Sequence, residues 1–238
     1  MFRYIAKRVL QAIPLLFVIS FIVFSLIHIA PYDVIDSITT PNMSQEQIDL
    51  LRQRYGLDQP FLVQYFLWIR NVLTGNLGFS LVSQSSISQE LATRIPNTMR
   101  LVIPAYLTAL LLAIILGLLA AANKGKIWDR IIDAVASLGI AVPTFWFAMI
   151  LIYVFGYLLN MFPIIGMYTV GKEGDFGDFL QHFILPYITL TVAFFPDLTR
   201  YIRASATQQV SEDYVMVQRA FHASKWQIFY HLEFPAAL

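Results

Sequence analysis

Long apolar runs alternate with polar connections along this chain. Residues 9–30 form the first run, with Arg3, Lys7 and Arg8 just ahead of it. Residues 101–122 form the second and carry no charge. The third covers residues 134–159 with Pro143 inside it, and the fourth, residues 183–202, is interrupted by Pro196, Asp197 and Arg200. About 20 apolar residues, rising about 1.5 Å each, cross about 30 Å of hydrocarbon, so each run predicts a membrane-spanning helix. A secretory signal has an apolar core of only about 7–15 residues. The first run is longer and has no A-x-A site before Pro31, which predicts an uncleaved span. Pro143 is tolerable in one continuous third span if neighbouring helices satisfy the carbonyl it frees.

Lys and Arg near span ends set orientation. Basic clusters lie at Arg3, Lys7 and Arg8, at Lys124, Lys126 and Arg130, and at Arg200 and Arg203. Alternating spans put all three on one side, which the rule makes cytoplasmic. The connection over residues 160–181 has only Lys172 against Glu173, Asp175 and Asp178, as an external loop should. The expected organisation is then a cytoplasmic N-terminus over residues 1–8, a span over 9–30 and an exported loop over 31–98. Three further spans follow within 99–203, then a cytoplasmic tail over 204–238.

The exported loop contains helix signals of its own. Ser44 to Gln47 reads as a capping box opening a helix with Ile48, Leu51 and Tyr55 on one face, stopped at Gly56. Pro60 can start a second helix, with Phe61, Tyr65, Trp68 and Val72 at helical spacing and Gly75 at its end. Gln64 and Arg70 make that helix a poor span. Both are expected to be amphipathic helices on the outer surface or packed on the bundle.

Composition supports a membrane protein. Of 238 residues, 58% are hydrophobic and only 13% charged, and the mean hydropathy is +0.63. A soluble domain of this size carries far more charge. The formal charge of +1 gives no basic footprint for nucleic acid. With no cysteine, thiolate metal sites and a Cys nucleophile are excluded. His28, His182, His222 and His231 are scattered without ligand spacing, and no metal or cofactor is expected.

The tail from 204 to 238 carries the most information. Ser211 can cap a helix that has Glu212 and Asp213 in its first turn and continues to about Phe221. Ser224 to Gln227 is a second capping box, opening a helix with Ile228, Phe229 and Leu232 that Pro235 limits. By spacing alone this is a compact hairpin below the membrane, which could simply finish the fold.

The residues Ala223-Ser224-Lys225-Trp226-Gln227-Ile228-Phe229-Tyr230-His231-Leu232-Glu233-Phe234-Pro235 resemble the second half of the cytoplasmic EAA loop of ABC importer permeases. Its I-x-L-P ending is matched by Leu232, Phe234 and Pro235. Glu212-Asp213-Tyr214-Val215 and Arg219-Ala220 are similar to the peptide, dipeptide and nickel permease subfamily. Tyr55-Gly56-Leu57-Asp58-Gln59-Pro60, Gly75-Asn76-Leu77-Gly78, Ile95-Pro96-Asn97-Thr98, Val142-Pro143-Thr144-Phe145-Trp146 and His182 to Pro186 extend the resemblance along the chain. Two departures stand out: the loop's glycine falls on His222, and its E-A-A triplet on Met216, Val217 and Gln218.

The resemblance implies an all-α integral membrane protein, a helical bundle like the type I ABC importer transmembrane domain. Members continue with two more spans, so it implies about four spans of six, in a truncated or fragmentary chain. The expected function is a permease subunit importing di- or oligopeptides, with no catalytic residue. Expected partners are a second permease subunit in a heterodimer, two cytoplasmic ATPase subunits, an extracellular substrate-binding protein and membrane lipid. The expected location is the cytoplasmic membrane of a prokaryote. The coupling residues it implies are Glu212, Asp213, Tyr214, Val217, Arg219, Ala220, Phe221, His222, Ser224, Leu232 and Pro235. Competing readings are a nickel-chelate permease, a secondary transporter, and a non-transporting remnant or assembly subunit.

Three other features have simpler explanations. Gly166 to Lys172 is one residue short of a Walker A loop, with Glu173 where Ser or Thr should stand, and reads as an exported turn. Asp197, the one acid well inside a span, is a candidate proton or substrate site, but a local pair with Arg200 explains it more cheaply. Asn42-Met43-Ser44 satisfies a glycosylation sequon, but Ser44 is better used as a cap.

Overall fold

A computed structural model of the protein describes residues 2–30, 35, 39, 43–80, 83, 85–210 and 213–222. Among these the structure is helical, with a single isolated bridge between Phe79 and Ser86. It divides into two compact units, Met1–Ile95 and Pro96–Leu238.

In the first unit, α1 (Phe2–Ile29) is a 28-residue helix with mostly exposed apolar side chains. The capping box forms as the sequence predicts: Ser44 accepts from the Gln47 amide, and the Gln47 side chain accepts from the Ser44 amide. It opens α2 (Gln45–Tyr55), which ends at Gly56 with φ of 68°. That left-handed conformation suits glycine, because it has no Cβ to clash with the following carbonyl. Pro60 precedes α3 (Phe61–Leu73), and Gly75 follows it with φ of 81°. Tyr65 of α3 is buried, and its hydroxyl lies 2.9 Å from Ser20 Oγ and donates to the Phe17 carbonyl at 3.2 Å. So α3 packs against α1.

Helix α4 (Ile87–Ala122) is 36 residues long. It begins well before the run at residue 101, and Ile95-Pro96-Asn97-Thr98 lies inside it. In the second unit its buried face is a line of small residues: Ala105, Ala109, Ala113, Gly117 and Ala121. Four-residue spacing keeps them on one face. They allow close approach to α7 (Phe176–Val210), and a Cβ on Gly117 would meet Ile202 Cγ2 at 3.0 Å. Without a hydrophobic drive between helices in lipid, such close van der Waals contact supplies much of the attraction. Contacts run in step: Thr108 meets Tyr187, Gly117 meets Ile202, and Ala121 shares a cluster with Ala206. Hence α4 and α7 are parallel. Thr189, Thr191 and Thr199 of α7 each donate to the carbonyl four residues back, which leaves no hydroxyl unsatisfied in an apolar setting.

The third run is not one helix. It forms α5 (Ile127–Ala141) and α6 (Thr144–Leu151), extended by a π-helical segment (Ile152–Leu158). The two parts meet at 94°. The cause is local: Val142 is pushed to extended geometry, φ −88° and ψ 119°, as the residue before proline is, and Pro143 restarts the helix as N-cap. Neighbouring helices do not keep this proline within a single helix. Contacts show that the broken pair still travels the length of α7. Asp129 meets Arg203, Ser137 meets Arg200, Gly139 meets Pro196, and Phe147 lines a cavity with Thr189. Farther on, Asn160 lines a second one with Gln181. The order is antiparallel to α7, as a broken span would give. By length and apolarity the described residues hold three spanning helices, or four with this bent pair.

Candidate functional site

Beyond α7 the chain forms α8 (Asp213–Ala220). Asp213 lies in its first turn, where its charge complements the positive helix end. Val215 is fully buried. Asp213, Val217, Ala220 and Phe221 are exposed, Phe221 by 82%. At 100° per residue these four fall within one arc of the helix, opposite the side of Val215. Of the coupling residues expected from sequence, Val217, Ala220 and Phe221 form one exposed apolar face. Glu212, Ser224, Leu232 and Pro235, with the Ser211 cap and the second capping box, lie outside the described residues.

His222 follows α8 with φ of 60°. The turn keeps the left-handed geometry that glycine adopts without strain, even though histidine stands there. An L-residue pays about 1–2 kcal/mol in this region. Glycine instead loses about 0.5–1 kcal/mol more chain entropy on folding. His222→Gly should therefore steady the turn by up to about 1 kcal/mol. Slower amide hydrogen exchange over residues 217–222 would confirm this; faster exchange would contradict it.

A polar tie joins α7 to α5 seven residues before α7 ends. Arg203 Nε donates to Asp129 Oδ1 at 2.5 Å and its Nη2 to Oδ2 at 3.0 Å, a two-pronged pairing of guanidinium and carboxylate. Asp129 is 4% exposed and also accepts from the Gly125 amide at 2.8 Å. Its position explains this second bond. Asp129 lies in the first turn of α5, whose N-cap is Lys126, and reaches back to the Gly125 amide in the turn just before the helix. One turn away Arg200 donates to Ser137 Oγ at 2.7 Å.

The pair of Arg200 with Asp197 does not form. Both side chains are exposed, and the Ser137 hydroxyl of the antiparallel α5 takes the guanidinium instead. Sequence reading missed Asp129. An acid at the third position of a helix hints at the bond to Gly125, but nothing local points to a partner 74 residues away.

At the opposite end of α7, Asp178 accepts from Thr169 N at 2.6 Å and Thr169 Oγ1 at 2.7 Å, while Lys172 stands 3.9 Å away. Gly166 and Gly171 have φ of 89° and 86°. The Walker-like stretch is thus a turn pinned to the start of α7. Lys124, Lys126 and Arg130 lie with Arg203 at the end that leads to α8, and the acidic loop lies at the other.

Residues 113–238 match the family described as the binding-protein-dependent transport system inner membrane component. The chain belongs to this family. Residues 1–102 match the N-terminal domain of the same membrane components. The glutathione transport system permease protein GsiC of Escherichia coli strain K12 is 35% identical over 232 residues, covering 97% of this chain and 72% of the relative. The oligopeptide transport system permease protein AppB of Bacillus subtilis strain 168 is 34% identical over 221 residues, covering 92% and 70%. The all-α membrane fold and the recognition as an ABC importer permease of the peptide and nickel family stand on these matches. As a binding-protein-dependent permease it is a multi-pass inner-membrane component, and membership implies partner ATPase and substrate-binding proteins.

Proposed function

We propose that this permease moves di- or oligopeptides into the cytoplasm and is driven through the exposed face of α8 by a separate ATPase. The carrying observation is the arc of Val217, Ala220 and Phe221, apolar and exposed where α7 ends. An exposed apolar patch beside a basic helix end suits a protein partner better than water or lipid. The basic end of α4, α5 and α7 is the cytoplasmic one by the positive-inside rule, which places the N-terminus there too. Relatives named for glutathione and for oligopeptides support peptides as the substrate class.

In this reading each of two permease subunits, paired as a heterodimer, offers one α8 to one ATPase. An external binding protein delivers the peptide to the opposite face. Motion of α8 reaches α7 directly. It reaches α5 through Arg203 and Asp129, so the two helices shift together at that end. The break at Val142–Pro143 lets α6 follow a different path. A cavity of about 210 Å³, lined by Val135, Leu138, Val142, Phe147 and Thr189, leaves room beside that break. At that volume, below the about 300 Å³ of ordinary ligand pockets, it is too small to hold a peptide by itself.

Ala220→Glu in the assembled transporter tests the docking face. Reconstituted vesicles should keep ATP hydrolysis while uptake of a labelled dipeptide falls at least about tenfold, the cost of about 1.4 kcal/mol in coupling. Uptake at the parental rate, with the subunit inserted normally, would refute the assignment.

A further inference from the structure

We infer that α3 is embedded in the hydrocarbon of the membrane beside α1, with acyl chains covering its outer face. The register of its contacts argues for this depth. The Tyr65 hydroxyl meets α1 at Phe17 and Ser20, and its ring packs edge-on against Phe21 and Phe24, centroids 5.1 and 5.5 Å apart. Phe61 reaches Phe21, Phe24 and His28, and Trp68 reaches Phe24. Ser20 lies nine residues inside Ile29, about 14 Å at 1.5 Å per residue, which is near the middle of a hydrocarbon layer about 30 Å thick. That conclusion depends only on α1 crossing the membrane, whichever way it points.

Several polar groups on or beside α3 are paired within the protein, while Arg70 and Asn71 of its last turn are exposed. An unpaired polar group in hydrocarbon costs several kcal/mol, whereas in water it costs nothing. Gln64 Nε2 donates back to the Leu57 carbonyl at 3.2 Å and to the Gln59 carbonyl at 2.7 Å. Tyr65 is satisfied by α1. Thr74 Oγ1 donates to the Arg70 and Asn71 carbonyls at 3.1 and 2.9 Å, closing the far end. The full charge, Arg70, sits in the last turn and is exposed. The face turned from α1 exposes Leu62, Phe66 and Leu73, by 55%, 62% and 78%. Neighbouring α2 is the contrast: it carries Glu46, Asp49, Arg52 and Arg54 and belongs in water. With 13 residues, α3 covers about 20 Å and cannot cross, so it is a partial-depth helix.

The chain has no cysteine, so single-cysteine variants of the full chain report position cleanly. Leu62→Cys and Phe66→Cys would be compared with Gln53→Cys on α2 and Leu16→Cys on α1, all at exposed positions. In right-side-out and inverted vesicles, a membrane-impermeant maleimide should label position 53 in one orientation. Positions 62 and 66 should label at least about tenfold more slowly in both orientations, like position 16, as expected for a thiol kept from water. Nitroxide labels at 62 and 66 should collide frequently with oxygen and rarely with a water-soluble nickel chelate. Labelling at the rate of position 53 would put α3 in water. Low collision with both probes would mean that protein, not lipid, covers it. Either result overturns the inference and leaves the proposal for α8 untouched.

Discussion

Asp129→Ala should unfold the basic ends of α5 and α7 at a markedly lower temperature. The substitution removes the acceptor for both prongs of Arg203 and the partner of the Gly125 amide in one step. Breaking a fully buried ion pair costs about 3–5 kcal/mol, chiefly because the remaining charge is stranded. The Arg203 side chain is 32% exposed and can recover some hydration, so about 2–4 kcal/mol is expected. Arg203→Ala should be at least as severe, because Asp129 is the more deeply buried partner. A double-mutant cycle read by thermal unfolding in detergent should return a coupling of about 1–3 kcal/mol. Single changes below about 0.5 kcal/mol, adding without coupling, would show that the tie does not hold these helices together.

Gly139→Ala decides a sign. In an ordinary helix interior, alanine in place of glycine stabilises by about 0.5–1 kcal/mol. Here the added Cβ would stand 2.6 Å from Pro196 Cγ. Pro196 is almost fully buried, and its ring is closed onto the backbone, so it cannot swing aside. Overpacking of this kind costs about 1–3 kcal/mol, which outweighs the propensity gain, and the variant should be net destabilised. Pro196→Ala combined with Gly139→Ala should recover most of the loss by removing the ring. A Gly139→Ala protein more stable than the parent would disprove the close crossing of α5 and α7.

What the sequence reveals and what it hides divide along physical lines. Ser44, Gln47, Gly56 and Pro60 act within a few residues of themselves, and the helices they bound form as their chemistry predicts. The apolar runs were equally plain, because burial in lipid demands uninterrupted length. Pro143 was visible, but its effect was not. Whether a proline bends or breaks a helix depends on what packs around it, and here the result is a 94° turn. Gly139 against Pro196 and Asp129 with Arg203 join residues far apart in the chain, and no pattern local to either partner announces the other. On α8 the sequence marks a candidate surface, but only the structure shows Val217, Ala220 and Phe221 exposed on one arc while Val215 is buried.

The row of Ala105, Ala109, Ala113 and Gly117 has a mechanical consequence. Large side chains lock two helices like teeth, and moving one past the other means lifting each out of its notch. Methyl groups offer almost no teeth. A small axial slip of α7 along α4 trades one methyl contact for another, so resistance to that slip concentrates where Gly117 meets Ile202, where Thr108 grips Tyr187 and where the Tyr106 ring packs edge-on against Phe194. Between those points the methyl row makes the pair a smooth bearing.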